Sequence, residues 1–161
     1  MLGAPAPNIY GLMTPPTSPT KKRNLHGGTF NLHPCLTEAG AAHVHYHLGQ
    51  ALQSIQFRGA PNPEAILCQS ATDTNVTTLP IHLSFGPEIH ITNPNGVQVG
   101  DVFHQLHVEL SRRLSAREMA GAFAGPSQGP PQNTRMLDVI VATPYFAGLT
   151  LRGNSWYLQL R

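Results

Sequence analysis

The stretch "HVHYH", His43 to His47, places three imidazoles on alternate positions. In an extended chain, alternate side chains share one face and are spaced ~6.6 Å apart. His43 and His45 are therefore close enough to converge on one ion, as neutral imidazoles do in zinc sites. His43 and His47 would lie ~13 Å apart along such a strand, too far to share a metal bound at ~2.0 Å. A second pair, His104 and His107, is three residues apart on an expected helix and points one way. Neither pair has an acid beside it in sequence, and HExxH is absent. Each pair supplies two ligands where a catalytic zinc takes three. The expectation is that His43, His45 and His47 form the wet face of a strand whose other face, Val44, Tyr46 and Leu48, lies on the core. Metal ligation by His43, His45, His104 or His107 is the alternative, and no cofactor is expected.

Nucleophilic chemistry has thinner support. The chain has no GxSxG elbow and no phosphate-cradling glycine loop. Cys35 follows His33 and Pro34, but triads assemble in space rather than in sequence. Cys35 and Cys68 read as small buried hydrophobes, and Asp101 and Asp138 as helix-capping or solvated acids. No catalytic residue is assigned.

The densest run of short motifs is "LMTPPTSPTKKRN". Thr14-Pro15 and Ser18-Pro19 are candidates for proline-directed phosphorylation, which adds about −1.5 to −2 charge per site. Lys21, Lys22 and Arg23 are candidates for a minimal nuclear-import signal. Residues 1–28 are rich in Pro, Ser and Thr without apolar periodicity, so they form a disordered regulatory tail in this reading. Residues 29–161 form one folded domain.

The elements that must position these groups follow from periodicity. "HVHYHL", "LPIHLSF" and "EIHIT" alternate, with Ile81, Leu83, Phe85, Ile89 and Ile91 inward. "FGPE" turns the second run into the third, and "VQV" reads as a brief strand. "ALQSIQF" breaks alternation and is ambiguous. From Asp101 to about Leu114 the period becomes helical, with Val102, Phe103, Leu106, Leu110 and Leu114 on one stripe. "SARE" carries a capping-box pattern that starts a second short helix. "FAGLTL", a turn at "RGNS" and "WYLQLR" make the clearest hairpin, with Trp156 packed near Phe146 and Leu149. The fold class is α+β: a mostly antiparallel sheet, one main helix, a second short helix packed on it, and a closing C-terminal hairpin.

Charge narrows the partners. Only 11% of residues are charged, about half the usual share. So sparse a surface favours a protein partner or a homodimer. The net charge is +2 and three of the ten basic residues sit at 21–23, so the basic stripe of a nucleic-acid binder is missing. No run approaches the ~20 apolar residues of a membrane span, and the N-terminus lacks the form of a secretory signal. A soluble protein of the cytoplasm, the nucleus or both is expected.

With these residues in view, the chain from Leu32 onward resembles a fungal, mainly basidiomycete, family classed as domain of unknown function 6699. The resemblance rests on "LHPCL" (32–36), "SATDTNVTTLPIHL" (70–83), "VQVGDVFHQLHVELSRRLSAREM" (97–119) and "RMLDVIVATPYFAGLTLRGNSWYLQL" (135–160). It departs at "HVHYHLG", where the family more often carries an acid near His47. The resemblance implies a compact α+β domain and transfers no catalytic residue. The resulting expectation is a non-enzymatic intracellular binding module, with a small metal-dependent enzyme and a nucleic-acid-associated nuclear factor as alternatives.

Overall fold

The computed structural model describes residues 30–83, 86–115, 118, 134–140 and 144–161. The phosphorylation and import candidates Thr14, Ser18, Lys21, Lys22 and Arg23 lie outside these residues. So does Phe85.

The chain is α+β and its strands are mostly antiparallel. A two-stranded ladder pairs β1 (Val44–His45) with β2 (Gln56–Phe57). The main sheet contains β3 (Thr78–His82), β4 (Glu88–Thr92), β5 (Phe146–Arg152) and β6 (Ser155–Leu160), in the order β4-β3-β6-β5. The β3–β4 and β5–β6 hairpins are those the alternation predicts. They are joined by parallel pairing of β3 with β6, Ile81 to Trp156 and His82 to Tyr157. The described residues include three α-helices: α1 (Pro63–Leu67), α2 (Val99–Ser111) and α3 (Met136–Ile140). None is long and apolar enough to cross a membrane.

One core lies between α2 and the sheet. Val99, Val102, Phe103, Leu106 and Leu110 form the buried stripe of α2. They face Leu79, Ile81, Ile89, Ile91, Leu149 and Leu158. Phe103 is the hub: its ring meets Phe146 edge-on at 4.9 Å and Tyr46 at 5.6 Å. The helix begins at Val99, so "VQV" is not a strand. Val99 belongs to the helical stripe, while the Asp101 carboxylate accepts the Gln98 N–H at 2.9 Å and closes the first turn. The helix ends at Ser111 rather than near Leu114, because Arg112 turns to an extended conformation (φ −63°, ψ 142°). Beyond it, Ser115 and Glu118 make the hydrogen bonds of the predicted capping box.

Two further expectations are corrected. "HVHYHL" keeps its predicted sides, with Val44, Tyr46 and Leu48 at most 1% exposed, yet only Val44–His45 is strand. His43 ends a 3₁₀ turn and His47 makes an isolated bridge to Tyr145. Alternation selects which side chains enter the core and does not select hydrogen-bond partners. Trp156 is half-buried at the margin of the core, its ring centroid 6.2 Å from that of Phe30, and lies away from Phe146. The register explains this, since Trp156 pairs with Leu151 beside the turn while Phe146 pairs with Leu160 at the far end.

A bulge between Phe146 and Gly148 shifts the parity of β5, so Phe146 and Leu149 both enter the core. Gly148 is required there: its φ is 111°, and a Cβ would meet Glu38 Cα at 2.5 Å. At the hairpin turn Gly153 takes φ 62°, the left-handed conformation a tight turn demands.

Candidate functional site

The β1–β2 ladder turns His43 and His45 toward a cleft. Val44 pairs with Phe57 and both are buried; His45 pairs with Gln56 and both are exposed. The Arg58 N–H donates to the His43 carbonyl at 2.7 Å, so the chain leaves β2 beside His43. From the other side, Arg161 follows β6 and exchanges two backbone hydrogen bonds with Tyr145, at 3.0 and 3.1 Å. Its guanidinium donates to the Val44 carbonyl at 3.3 Å.

Ala42, His43, Val44, His45, Gln56, Phe57, Arg58 and Arg161 thus line a cleft of about 430 Å³, the size of many small-ligand sites. Two of its side chains carry fixed positive charge, two are imidazoles, and none is a carboxylate. Among the described residues, the Arg58 side chain has no hydrogen-bond or ion-pair partner. Arginine's planar fork matches a carboxylate or phosphate with paired donors, and imidazole N–H groups add more. The arrangement suits an anion.

The structure separates the four histidines singled out as metal candidates. His43 and His45 share the cleft wall, and the His45 ring packs on Tyr145 at 5.0 Å. Tyr145 also takes the His47 ring edge-on at 5.2 Å. On α2, His104 is exposed, while the His107 ring donates Nδ1–H to the Leu48 carbonyl at 2.8 Å. Among the described residues, no three His, Cys, Asp or Glu side chains are grouped to hold a metal ion.

The remaining candidates have structural roles. Asp101 caps α2, and Asp138 caps α3 by accepting the Arg135 N–H at 3.0 Å. Cys35 lies with Sγ 2.9 Å from His33 Nδ1, and His33 Nε2 is 2.7 Å from Gln69 Oε1. This resembles a base-assisted thiol, but burial pushes the Cys35 thiol up to about 12, so it stays protonated near neutrality. His33 also accepts the Cys35 N–H at 3.3 Å, which caps the 3₁₀ turn Pro34–Leu36. Cys68, expected buried, is exposed; it ends α1, a five-residue helix whose Ile66 and Leu67 are only half-buried.

Sequence reasoning missed Arg58, Arg161 and Tyr145. Arg58 follows the one run whose period is broken, and Arg161 is more than a hundred residues from His43. No local pattern joins them.

Fold and cleft together define a small α+β domain with a cationic surface cleft. The chain belongs to a family of unknown function, DUF6699, which matches residues 44–154. That span includes His45 and Arg58 and stops short of His43 and Arg161. No curated protein and no solved structure matches the chain.

Proposed function

We propose that the domain is an intracellular, non-enzymatic binding module that takes an anionic group of a protein partner, carboxylate or phosphate, in the His43–His45–Arg58–Arg161 cleft. One observation carries this reading: two arginines and two histidines line a single cleft that contains no acidic side chain. Each charge-assisted hydrogen bond to such a group contributes ~1.5–3 kcal/mol, so two arginines recognise one oxyanion with useful selectivity. The two cysteines are free thiols, consistent with a reducing compartment. In the same proposal, phosphorylation at Thr14 or Ser18 regulates binding from the segment ahead of the domain.

Backbone NMR tests the cleft. Inorganic phosphate and N-acetylphosphoserine are titrated separately at an ionic strength held constant with chloride. Saturable shifts confined to residues 43–45, 56–58 and 161 are expected. Arg58→Gln and Arg161→Gln should each weaken them at least ~10-fold, the loss of one charged hydrogen bond. Shifts spread over the surface, or reproduced by chloride alone, would refute the reading.

A further inference from the structure

The four-stranded sheet has two edges, and they differ. Alongside β5, Thr37 bridges Leu149 and closes that side. Alongside β4 there is no such cover among the described residues. The direction of each backbone group on β4 follows from the register. The Asn93 N–H donates to the Thr77 carbonyl, and Thr78 pairs with Thr92 in continuous antiparallel register. Hydrogen-bonded pairs therefore recur at 79/91 and 81/89. Pro80, which has no N–H, falls opposite His90 in a pair that needs none. The N–H and C=O groups of Glu88, His90 and Thr92 must then point away from β3. None has a backbone partner among the described residues.

The side chains on this edge are complementary to their own copy. Glu88 and His90 are exposed. The Glu88 carboxylate lies 3.6 Å from His90 Nε2 and 3.8 Å from His82 Nε2, so it has no short hydrogen bond of its own. Two β4 edges meeting antiparallel about a two-fold axis at Ile89 put Glu88 opposite the partner's His90, twice by symmetry. The same register pairs Thr92 with the partner's Gly86. It leaves Pro87 at a position whose missing N–H faces inward, where it obstructs nothing. The neighbouring register, centred on His90, sets His90 against the partner's His90 and leaves Glu88 opposite a threonine. Side-chain pairing across strands selects the first.

We propose that the β4 edge is a self-association surface, forming a two-fold dimer with a continuous eight-stranded sheet centred on Ile89. A strip of seven residues buries less than the ~1,200 Å² of a standard stable interface, so the dimer is weak and concentration-dependent.

Sedimentation velocity on the full chain, from ~10 µM to ~1 mM, brackets such an interface. The expected result is a reversible dimer over this range. His90→Pro removes a donor that β3 does not use, so the domain keeps its circular dichroism and becomes monomeric. Should that variant fold poorly, Glu88→Lys, an exposed change, should weaken association at least ~10-fold. Register is read from disulfides in a Cys68→Ser background. Glu88→Cys mixed with His90→Cys should cross-link, and His90→Cys alone should not. Several results would overturn the proposal: a monomer throughout, a dimer that survives both edge variants, or cross-linking by His90→Cys alone. A dimer displaced by an added extended peptide, with no self-pairing in the cysteine test, would show instead that the edge serves another protein's strand.

Discussion

Truncating Phe103 tests the core on which every site above depends. Its side chain is fully buried, and its ring touches Tyr46, Phe57 and Phe146 at 5.6, 6.3 and 4.9 Å. These contacts tie α2 to the "HVHYH" segment, to β2 and to β5. A Phe→Ala change in such a place costs ~3–5 kcal/mol in lost transfer energy and cavity. Edge-to-face pairs contribute ~0.5–1.5 kcal/mol beyond area, so Phe103→Ala belongs near the top of that range. Against a total stability of ~5–15 kcal/mol the loss is large. With a urea slope of ~1.5 kcal/mol per molar, a 4 kcal/mol loss moves the midpoint by ~2–3 M. Circular dichroism in urea reads this directly, with Val108→Ala on the exposed face of α2 as a control expected within ~0.5 kcal/mol. A double-mutant cycle with Phe146→Leu should return a coupling of ~0.5–1.5 kcal/mol. A loss below ~1 kcal/mol for Phe103→Ala would refute the aromatic hub and the packing of Tyr46 and β2 against α2.

Gly148→Ala forces a Cβ onto Glu38 at a positive φ and should cost ~2–4 kcal/mol; a wild-type melting temperature would show that the bulge is misplaced. At pH 8, iodoacetamide should label exposed Cys68 well before Cys35, whose thiol burial pushes up to about 12; equal rates by mass spectrometry would contradict that burial. Hydrogen bonds from Arg112 and Ser115 hold the Glu118 carboxyl down at about 2 from its usual 4.5. A depressed carboxylate adds stability above its unfolded pKa, and that stability is lost as pH falls from 4.5 toward 2. The pair is partly exposed, so Glu118→Gln should remove less than ~1 kcal/mol at pH 7 and flatten the acid limb of the stability profile. An unchanged profile would mean that the Arg112–Glu118 pair does not persist in solution.

The elements that sequence reading recovers are those whose information is local. The α2 stripe, the β3–β4 hairpin and the "RGNS" turn each declare themselves within a dozen residues, through period or turn chemistry. What stays hidden is set by partners distant in the chain. Nothing near Ile81 announces Trp156 as its parallel neighbour, and the bulge that aligns Phe146 with Leu149 has no alternation to betray it. The cleft divides the same way. His43 and His45 are conspicuous through their spacing, but the guanidinium groups that give the cleft its charge arrive from the end of β2 and from beyond β6. The core face of "HVHYHL" was legible because burying Val44, Tyr46 and Leu48 is favourable whichever backbone pairing results.

The parallel pairing of β3 with β6 has a consequence for how the chain is made. β6 is an interior strand of the sheet, yet it lies some seventy residues after β3 in the chain. During synthesis the β3–β4 hairpin emerges with one flank open and must wait for residues 155–160 before that flank is filled. At ~5–20 residues per second the wait lasts several seconds, long compared with the microseconds in which a hairpin forms. Through that interval Ile81 and its neighbours are accessible to chaperones, or to the same strand of another nascent chain. Codon changes that slow translation between residues 93 and 155 should therefore lower the soluble yield more than equal slowing ahead of residue 78.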